Sequence, residues 1–276
     1  MTELSEHKQR VATVYNLASS GYDHPAARCV AIGANRLVEF IGLRGGEHIL
    51  DVATGTGMAA LAAARLVGPQ GKVVGVDIAD DMLFQARRNI QEAGLANCEV
   101  RYGDMEHLDF ADDTFDAVIC GLGVFFLPEM VTGPQEWRRV TKRSGAVAFS
   151  SFGESAFQPM SDIFESIIRT YGVAFPVPRR PFGWQRIPHP EQCVGLLGDA
   201  GLVSTDVHVE QIGYYLQSAE EWWDFLWGTG YRGALSQLTP DKVEQFKEEH
   251  LKEIDKLATH QGIWLDVPYI TALGRK

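Results

Sequence analysis

Short apolar segments and helix-like segments alternate along the first half of the chain. Each of these apolar segments has the length of a strand and contains at least one valine, a residue enriched in strands. The intervening segments repeat their apolar residues at helical spacing. This alternation predicts an α/β fold, with a mostly parallel sheet and helices on both of its faces. The predicted strands are 47–52, 72–77, 98–102, 115–120 and 145–151, and the predicted helices are 57–67, 80–93 and 134–141.

Amphipathic patterns also precede and follow this region. Residues 4–21 and 26–41 each place apolar side chains on one helical face, and both predicted helices lie before the first strand. The second half of the chain is less regular. Its predicted helices are 160–172, 190–200, 218–228 and 240–260, and its predicted strands are 202–209 and 268–274.

The segment from Ile49 to Met58 reads as a strand, a glycine turn and a helix start. Gly55 and Gly57 can adopt positive φ and lack a Cβ atom, so a ligand can approach the backbone closely. The helix start offers free N–H groups. This geometry suits a nucleotide, and the run from Gly55 to Ala60 also satisfies the loose dinucleotide pattern, with Asp77 at about the spacing of its ribose-binding acid.

Acidic residues distinguish between the candidate nucleotides. Asp51, Asp77 and Asp104 all follow predicted parallel strands, and ligands bind such sheets at the carboxyl ends of the strands. A carboxylate beside the loop would repel a pyrophosphate, but it would attract a ligand that carries an ammonium and a sulfonium. S-adenosylmethionine has both groups and no phosphate. The alternative for Asp51 is a cap of the turn through backbone hydrogen bonds.

Four segments carry a resemblance to a known family. The run Asp51-Val-Ala-Thr-Gly-Thr-Gly57 resembles the cofactor loop of class I S-adenosylmethionine-dependent methyltransferases, and the UbiE-like small-molecule subgroup is the most similar. Residues 73–78 with Met82, residues 103–105 and residues 115–120 resemble the next three strand ends of that family. The resemblance implies a Rossmann-like seven-stranded sheet in which strands 202–209 and 268–274 form a C-terminal antiparallel pair. It also implies S-adenosylmethionine as cofactor and S-adenosylhomocysteine as product.

The same resemblance divides the chain and assigns the cofactor site. Residues 1–46 would form a helical cap, 47–152 the cofactor-binding core, and 153–276 the rest of the core, with a helical insertion at 210–266 as a lid over the substrate. The residues expected to contact the cofactor are Asp51, Ala53, Thr54, Gly55, Gly57, Asp77, Ile78, Met82, Gly103, Asp104, Met105, Cys120 and Tyr22.

Individual roles follow from side-chain chemistry. The two oxygens of Asp77 can accept hydrogen bonds from the two ribose hydroxyls, and the alternative is a helix cap. Asp104 would accept from the adenine amino group, and the alternative is a turn aspartate. Met105 on one side and Ile78 with Met82 on the other would sandwich the ring. Tyr15 and Tyr22 are candidates for closing the site, although for Tyr15 we favour simple packing.

Aromatic residues suggest an apolar or aromatic methyl acceptor. Phe125 and Phe126 could form a wall of the acceptor site or anchor the next helix. Trp184, with Phe182, and Trp223 could line it or pack the insertion onto the sheet. Quinone-ring enzymes of the subgroup carry an Arg-Asn pair after the fourth strand, and this chain lacks it. Their N-terminal tyrosine–aspartate pattern survives only in part, at residues 21–24, so a quinone acceptor is disfavoured.

No general base stands out from the sequence. His24, His107 and His189 are candidates by position, and each also reads as a surface or capping histidine. In-line displacement at a sulfonium depends chiefly on alignment, so positioning can supply much of the rate. A base matters only when the acceptor is poorly acidic.

Composition narrows the class of protein. The chain has 276 residues, a net charge of −11 and no basic run, so DNA and RNA are unlikely ligands. Its four cysteines, at 29, 98, 120 and 193, form no C-x-x-C pair, which argues against a disulfide framework or a zinc site. The polar N-terminus and the lack of a membrane-spanning apolar run predict a cytoplasmic protein without stable membrane insertion. The chain could also form a homodimer.

These observations lead to one hypothesis and two alternatives. We expect transfer of a methyl group from S-adenosylmethionine to a small, apolar or aromatic metabolite by in-line displacement, without a metal. The alternatives are an NAD(P)-dependent oxidoreductase and a non-catalytic S-adenosylmethionine-binding regulator or partner subunit.

Overall fold

The computed structural model describes residues 5–173 and 183–276, and most of its strands lie in one seven-stranded sheet. The strands are β1 His48–Val52, β2 Lys72–Asp77, β3 Cys98–Tyr102, β4 Phe115–Cys120, β5 Thr141–Phe152, β6 Val203–Gln211, β7 Tyr214–Leu216, β8 Ile263–Leu265 and β9 Pro268–Arg275. The helices are α1 Glu6–Ala18, α2 Cys29–Ile41, α3 Met58–Val67, α4 Asp80–Ala93, α5 Thr132–Val140, α6 Met160–Thr170, α7 Pro190–Asp199, α8 Ala219–Trp227, α9 Arg232–Leu235 and α10 Pro240–Asp255.

The strand order of the large sheet is β3-β2-β1-β4-β5-β9-β6. Strands β1 to β5 pair in parallel, and β9 inserts antiparallel between β5 and β6. The predicted mostly parallel sheet with a C-terminal antiparallel pair is therefore confirmed. Because β1 pairs with β2 on one side and with β4 on the other, the chain reverses direction across the sheet there. The carboxyl ends of β1 and β4 consequently flank a crevice.

The central strands are apolar on both faces because helices cover both faces. Ile49 and Leu50 are adjacent in sequence and both are completely buried, as expected for a strand between two layers of helices. On one face, the small residues of α3 allow the helix to pack closely against the sheet and against α2. The buried alanines of this helix are Ala59, Ala60, Ala62, Ala63 and Ala64.

Most element boundaries match the sequence prediction, with local differences. The first predicted helix continues beyond α1 only as a 3₁₀ turn, Ser19–Gly21, and the second begins as a 3₁₀ turn, Pro25–Ala27. Strand β5 begins earlier than predicted because Thr141 pairs with Phe115 ahead of an irregularity in the register. Leu4 and Phe182, which entered the sequence prediction, lie outside the described residues.

The insertion at 210–266 is not purely helical, which corrects the prediction. It contains a small antiparallel sheet in which β7 pairs with β8. Each of these strands has three residues, too few to show an alternating pattern, and the partners lie far apart in the sequence. Within the described residues, no helix is both long enough and apolar enough to cross a bilayer.

A buried histidine lies at the centre of the helical insertion. His250 of α10 is completely buried, and its ring stacks on Phe246 with a centroid distance of 5.2 Å. Its Nε2 accepts a hydrogen bond of 2.8 Å from Nε1 of Trp222. The proton of the neutral ring therefore lies on Nδ1, which has no partner among the described residues. Burial lowers the pKa of His250 to about 3.

This histidine predicts a loss of stability in acid. Between its folded pKa of about 3 and the ordinary value of 6.5, the unfolded chain binds a proton that the folded chain excludes. The free energy of unfolding should therefore decrease as pH falls from 6.5, by up to about 1.4 kcal/mol per pH unit.

Urea unfolding of the wild type and of His250→Phe across pH 4.5 to 8 would measure this effect. The variant leaves the Trp222 N–H unpaired, so its overall stability should be lower at every pH. The difference between the two proteins should nevertheless shrink steadily as pH falls. Parallel pH profiles for both proteins would contradict the assignment.

Candidate functional site

Two adjoining cavities lie at the carboxyl ends of the central strands. Both open to solvent, and the space within them, the solvent at their mouths included, is about 730 Å³ for the first and about 390 Å³ for the second. Both are lined by the loop that follows β1, by the loop that follows β4 and by the turn between α1 and α2. The residues common to the two cavities are Tyr22, Ala53, Gly55, Gly121 and Leu122.

The first cavity brings together most of the predicted cofactor residues. Apart from Tyr22, they come from the loop after β1, the end of β2, the start of α4 and the turn after β3, four parts of the chain that the parallel sheet places at one edge. The predicted residues that line this cavity are Tyr22, Ala53, Gly55, Asp77, Ile78, Met82, Gly103, Asp104 and Met105.

Asp77 joins two of these segments. Its Oδ2 accepts a hydrogen bond of 2.8 Å from the Gly55 N–H, and its Oδ1 accepts one of 2.9 Å from the Ala79 N–H. Burial raises the pKa of its carboxyl group. The capping role that the sequence left open is therefore present, and it does not preclude ligand binding, because each carboxylate oxygen can accept more than one hydrogen bond.

The loop after β1 follows an unusual backbone path. Ala53, Gly55 and Gly57 all have positive φ, at 53°, 55° and 87°. This path leads directly into α3, whose first N–H groups have no partner within the helix. Gly57 lines neither cavity, and a Cβ there would make only an ordinary contact of 3.4 Å with Ala86 of α4, so its positive φ is what favours glycine. Its contribution is therefore to the shape of the loop.

Asp51 is the charged residue of the second cavity and is only 1% exposed. Its Oδ2 accepts a hydrogen bond of 2.6 Å from the Thr54 hydroxyl, whereas its Oδ1 has no hydrogen bond of normal geometry among the described residues, although the Ala60 N–H lies near enough to lower the pKa of the carboxyl group. Burial raises the pKa of Asp51 to about 7, and the nearby charge of Asp77 acts in the same direction. A buried carboxylate at a cavity wall, with one oxygen that lacks a hydrogen bond of normal geometry, suits a ligand that brings a cationic N–H donor.

Helix α1 covers the first cavity through contacts that the sequence did not indicate. Lys8 forms ion pairs with Asp104 at 2.6 Å and with Glu106 at 2.5 Å. Asn16 accepts a hydrogen bond from the Asp81 N–H in the first turn of α4. Tyr15, for which we favoured simple packing, lines the cavity as well.

The turn between α1 and α2 closes onto the glycine loop. Asp23 accepts a hydrogen bond of 2.6 Å from the Thr56 hydroxyl and one of 2.8 Å from the Asn89 amide. These contacts fix the position of the neighbouring Tyr22, which lines both cavities. The partial family pattern at residues 21–24 was the only sequence signal for this contact.

The other predicted side chains lie in different places. Phe126 lines the first cavity, whereas Phe125 is buried outside both cavities. Cys120 is completely buried and also lies outside both cavities. Trp184 packs against Phe157 in the aromatic interior, and Trp223 stacks on Trp227. The substrate roles of Phe125 and the two tryptophans stay predictions.

The three candidate histidines also lie outside the lining of the two cavities. His24 Nδ1 accepts a hydrogen bond from the Ala26 N–H and so caps the 3₁₀ turn. His189 forms a capping box with Gln192 at the start of α7. His107 is exposed in the turn that follows Asp104. Within residues 5–173 and 183–276, no group of three or more His, Cys, Asp or Glu residues could hold a metal ion.

Comparisons with known proteins agree with this geometry. A family model described as a methyltransferase domain matches residues 43–173. Aklanonic acid methyltransferase DauC of Streptomyces sp. (strain C5) is 33% identical over 147 residues, which cover 53% of this chain and 67% of that protein. Demethylmenaquinone methyltransferase of Bacillus subtilis (strain 168) is 27% identical over 183 residues, or 63% of this chain and 78% of that protein.

Solved structures support the fold. The YcgJ protein of Bacillus subtilis superposes with a TM-score of 0.59 at 20% sequence identity, and the match covers 89% of this chain and 98% of that one. At this level of identity the likeness establishes the arrangement of strands and helices alone.

The raised pKa of Asp51 predicts that the free energy of unfolding changes with pH in the direction opposite to the change predicted for His250. Between pH 3.8 and about 7, the folded protein retains a proton on Asp51 that the unfolded chain has released. The unfolding free energy of the ligand-free protein should therefore decrease as pH rises through this window, by up to about 1.4 kcal/mol per pH unit.

The measurement is the stability of wild type relative to Asp51→Asn at several pH values. Asparagine has nearly the same shape but does not titrate, so the wild type should lose stability against the variant between pH 5 and 7. The difference should level off above about pH 7.5, where the carboxyl group is charged in both states. A difference that stays constant from pH 5 to 8 would contradict the raised pKa.

Proposed function

This chain belongs to the S-adenosylmethionine-dependent methyltransferases, and on that premise we propose which molecule accepts the methyl group and which residues form the site. This membership is established by the relative that is 33% identical, 67% of which the match covers. The methyltransferase-domain model agrees with it. The chain transfers a methyl group from S-adenosylmethionine to a small molecule. An NAD(P)-dependent oxidoreductase and a non-catalytic binding protein are not favoured by these comparisons.

The cofactor would lie across both cavities. Asp104 and the apolar residues beside it would hold the adenine, and Asp77 would hold the ribose. Asp51, whose Oδ1 has no hydrogen bond of normal geometry among the described residues, would bind the ammonium of the methionine group in the second cavity. The buried carboxylate, with one oxygen that has no hydrogen bond of normal geometry, is the single observation that carries this placement, because it matches a cationic ligand without phosphate.

When bound, S-adenosylmethionine supplies a methyl group on a cationic sulfur that departs as a neutral thioether. The protein's contribution is to orient the reactants and to exclude water. The residues common to both cavities include Tyr22 and Leu122. They would surround the sulfur, which joins the adenosyl group to the methionine group. Burial raises the pKa of Tyr22, so its phenol stays neutral at physiological pH.

We infer that the methyl acceptor has an apolar, ring-containing body. Tyr15, Tyr22 and Phe126 form an aromatic wall of the first cavity, with centroid distances of 6.0 Å from Tyr15 to Tyr22 and 5.2 Å from Tyr15 to Phe126. The charged residues of that cavity are Lys8, Asp77 and Asp104, and they would lie beside the adenine and the ribose. An uncharged ring would therefore meet apolar surface on the side facing the methyl group.

The acceptor atom is proposed to be acidic. The lining of the two cavities, as far as the described residues form it, contains no histidine, and its carboxylates are assigned to the cofactor. An acceptor that is ionised at neutral pH, such as a carboxylic acid or the acidic enol of a diketone, needs no base from the protein. Aklanonic acid and demethylmenaquinone are the substrates in the relatives' names, and the missing Arg-Asn pair argues against the quinone.

Four broader expectations stay proposals. The insertion at 210–266 would act as a lid, which is supported by its contact with the N-terminal turn, because a Cβ on Gly228 would lie only 2.2 Å from the Gly21 carbonyl oxygen. The division of the chain at residues 46 and 152, a cytoplasmic location and a homodimer are likewise proposed.

An acceptor panel tests the acidic-acceptor proposal. Bicyclic and tricyclic aromatic compounds would be supplied in matched sets that differ only in one group: a carboxylic acid, a phenol, an enolisable diketone, an amine or a primary alcohol. Release of S-adenosylhomocysteine would be measured, and turnover is expected with acidic members of the sets. Turnover confined to the amines or alcohols would contradict the proposal.

The ribose assignment is tested with Asp77→Asn. The asparagine keeps one acceptor oxygen for the backbone but loses the charge and the second acceptor. We expect S-adenosylhomocysteine binding to weaken by about 1–3 kcal/mol, the range for losing a hydrogen bond to a charged group.

Calorimetry would compare this variant with Asp80→Asn. Asp80 is exposed in the first turn of α4 and lines neither cavity, so its variant should bind like the wild type. Equal affinity of Asp77→Asn and the wild type would remove Asp77 from the site.

A further inference from the structure

A buried polar residue of the second cavity has no role in the proposed function. Tyr269, on β9, is one of the residues that line this cavity. Its hydroxyl has no hydrogen-bond partner of normal geometry among the described residues, although the Ser150 hydroxyl lies near enough to lower its pKa. The side chain is completely buried. A buried, unpaired donor is costly and calls for an explanation.

The position of the Tyr269 ring is fixed by its packing. A Cβ atom on Gly33 would lie 2.6 Å from Cε2 and 2.7 Å from Cζ of the ring, so only glycine fits beneath it. Gly33 lies inside α2, where glycine costs about 1 kcal/mol relative to alanine. Glycine at this position therefore lowers the stability of the helix, but it allows the Tyr269 side chain to lie at the cavity wall.

The phenol remains a hydrogen-bond donor at physiological pH. Burial raises the pKa of Tyr269, and this effect exceeds the opposing influence of the neighbouring Ser150 hydroxyl. Ser150 itself accepts a hydrogen bond of 3.0 Å from the Leu122 N–H. The Tyr269 O–H can therefore donate to a ligand in the second cavity.

Among its described lining residues, the second cavity has an acidic side chain but no basic one. Asp51 is an acceptor that suits an ammonium, and among the described lining residues there is no Lys, Arg or His to bind a carboxylate. An amino-acid group that enters here needs neutral donors for its carboxylate. Donors among the described lining residues include the phenols of Tyr22 and Tyr269 and the free N–H groups at the start of α3, at Met58 and Ala59. Tyr22 also lines the first cavity, whereas Tyr269 lines the second cavity alone.

We propose that Tyr269 is a positioning residue that donates a hydrogen bond to the carboxylate of the methionine group of S-adenosylmethionine. Asp51 takes the ammonium of the same group, so that the two side chains together recognise the zwitterion. This inference rests on the proposed placement of the methionine group in the second cavity.

The test compares two ligands that differ only in the carboxylate. S-adenosylmethionine and decarboxylated S-adenosylmethionine would each be titrated by calorimetry into the wild type and into Tyr269→Phe. The variant should bind S-adenosylmethionine roughly 10- to 100-fold more weakly, because it lacks one hydrogen bond to a charged group. Its affinity for the decarboxylated ligand should change less than about 2-fold, since that ligand offers no carboxylate to bind.

Two further measurements separate this role from a structural one. Phenylalanine retains the packing on Gly33 and removes an unpaired hydroxyl, so the melting temperature of the ligand-free variant should equal or exceed that of the wild type. Tyr102→Phe, at a half-exposed tyrosine outside both cavities, is the matched control and should bind both ligands like the wild type.

The outcomes are distinguishable. Equal weakening for both ligands, or no weakening for either, would overturn the role of Tyr269 while leaving the proposed function intact. Failure of the wild-type protein to bind S-adenosylmethionine at all would instead refute the proposed function.

Discussion

The burial of the Asp51 carboxylate at the end of the central strand is the constraint on which the site depends. β1 lies between β2 and β4, so its last residues are shielded by strands on both sides and by helices above and below. A carboxylate in this position loses its hydration, and the Thr54 hydroxyl replaces only part of it. Such a group is tolerated where a ligand completes its hydrogen bonds and neutralises its charge. The left-handed turn at Ala53 and Gly55 opens the space that this ligand needs.

The cofactor site is coupled to elements that are distant in the sequence. Lys8 of α1 and Asp23 of the next turn attach the N-terminal segment to the carboxyl edge of the sheet. Tyr269, near the end of the chain, reaches the same edge from β9. Because the first and the last parts of the chain both line the cavities, binding at the site should stabilise the closure of the N-terminal cover as well as the core.

Much of the fold could be predicted from the sequence because its signals are local. The valine-rich runs, such as 72–77, and the alanine-rich α3 identify their elements without knowledge of the rest of the chain. The alternation of these elements then implies a parallel sheet, and a parallel sheet brings Asp51, Asp77 and Asp104 to one edge. The residues of the cofactor site could be listed for this reason, although their individual roles stay predictions.

The parts that the sequence did not reveal depend on contacts between distant residues. The pairing of β7 with β8, the ion pair of Lys8 and the packing of Tyr269 on Gly33 leave no periodic pattern. The aromatic residues at 222–227 were ambiguous for a related reason: an apolar side chain suits a protein interior and a substrate pocket equally well. Trp223 is packed in the insertion, whereas Tyr15, which looked like a packing residue, lines the cavity.

Proton release on ligand binding tests the central claim most directly. S-adenosylhomocysteine would be titrated at pH 6.5 in two buffers of different ionisation enthalpy, with the wild type and with Asp51→Asn. If a buried carboxyl group with a pKa of about 7 pairs with the ligand ammonium, binding should release between about half and one proton from the wild type and almost none from the variant. Binding without proton release, or with equal release from both proteins, would contradict the account.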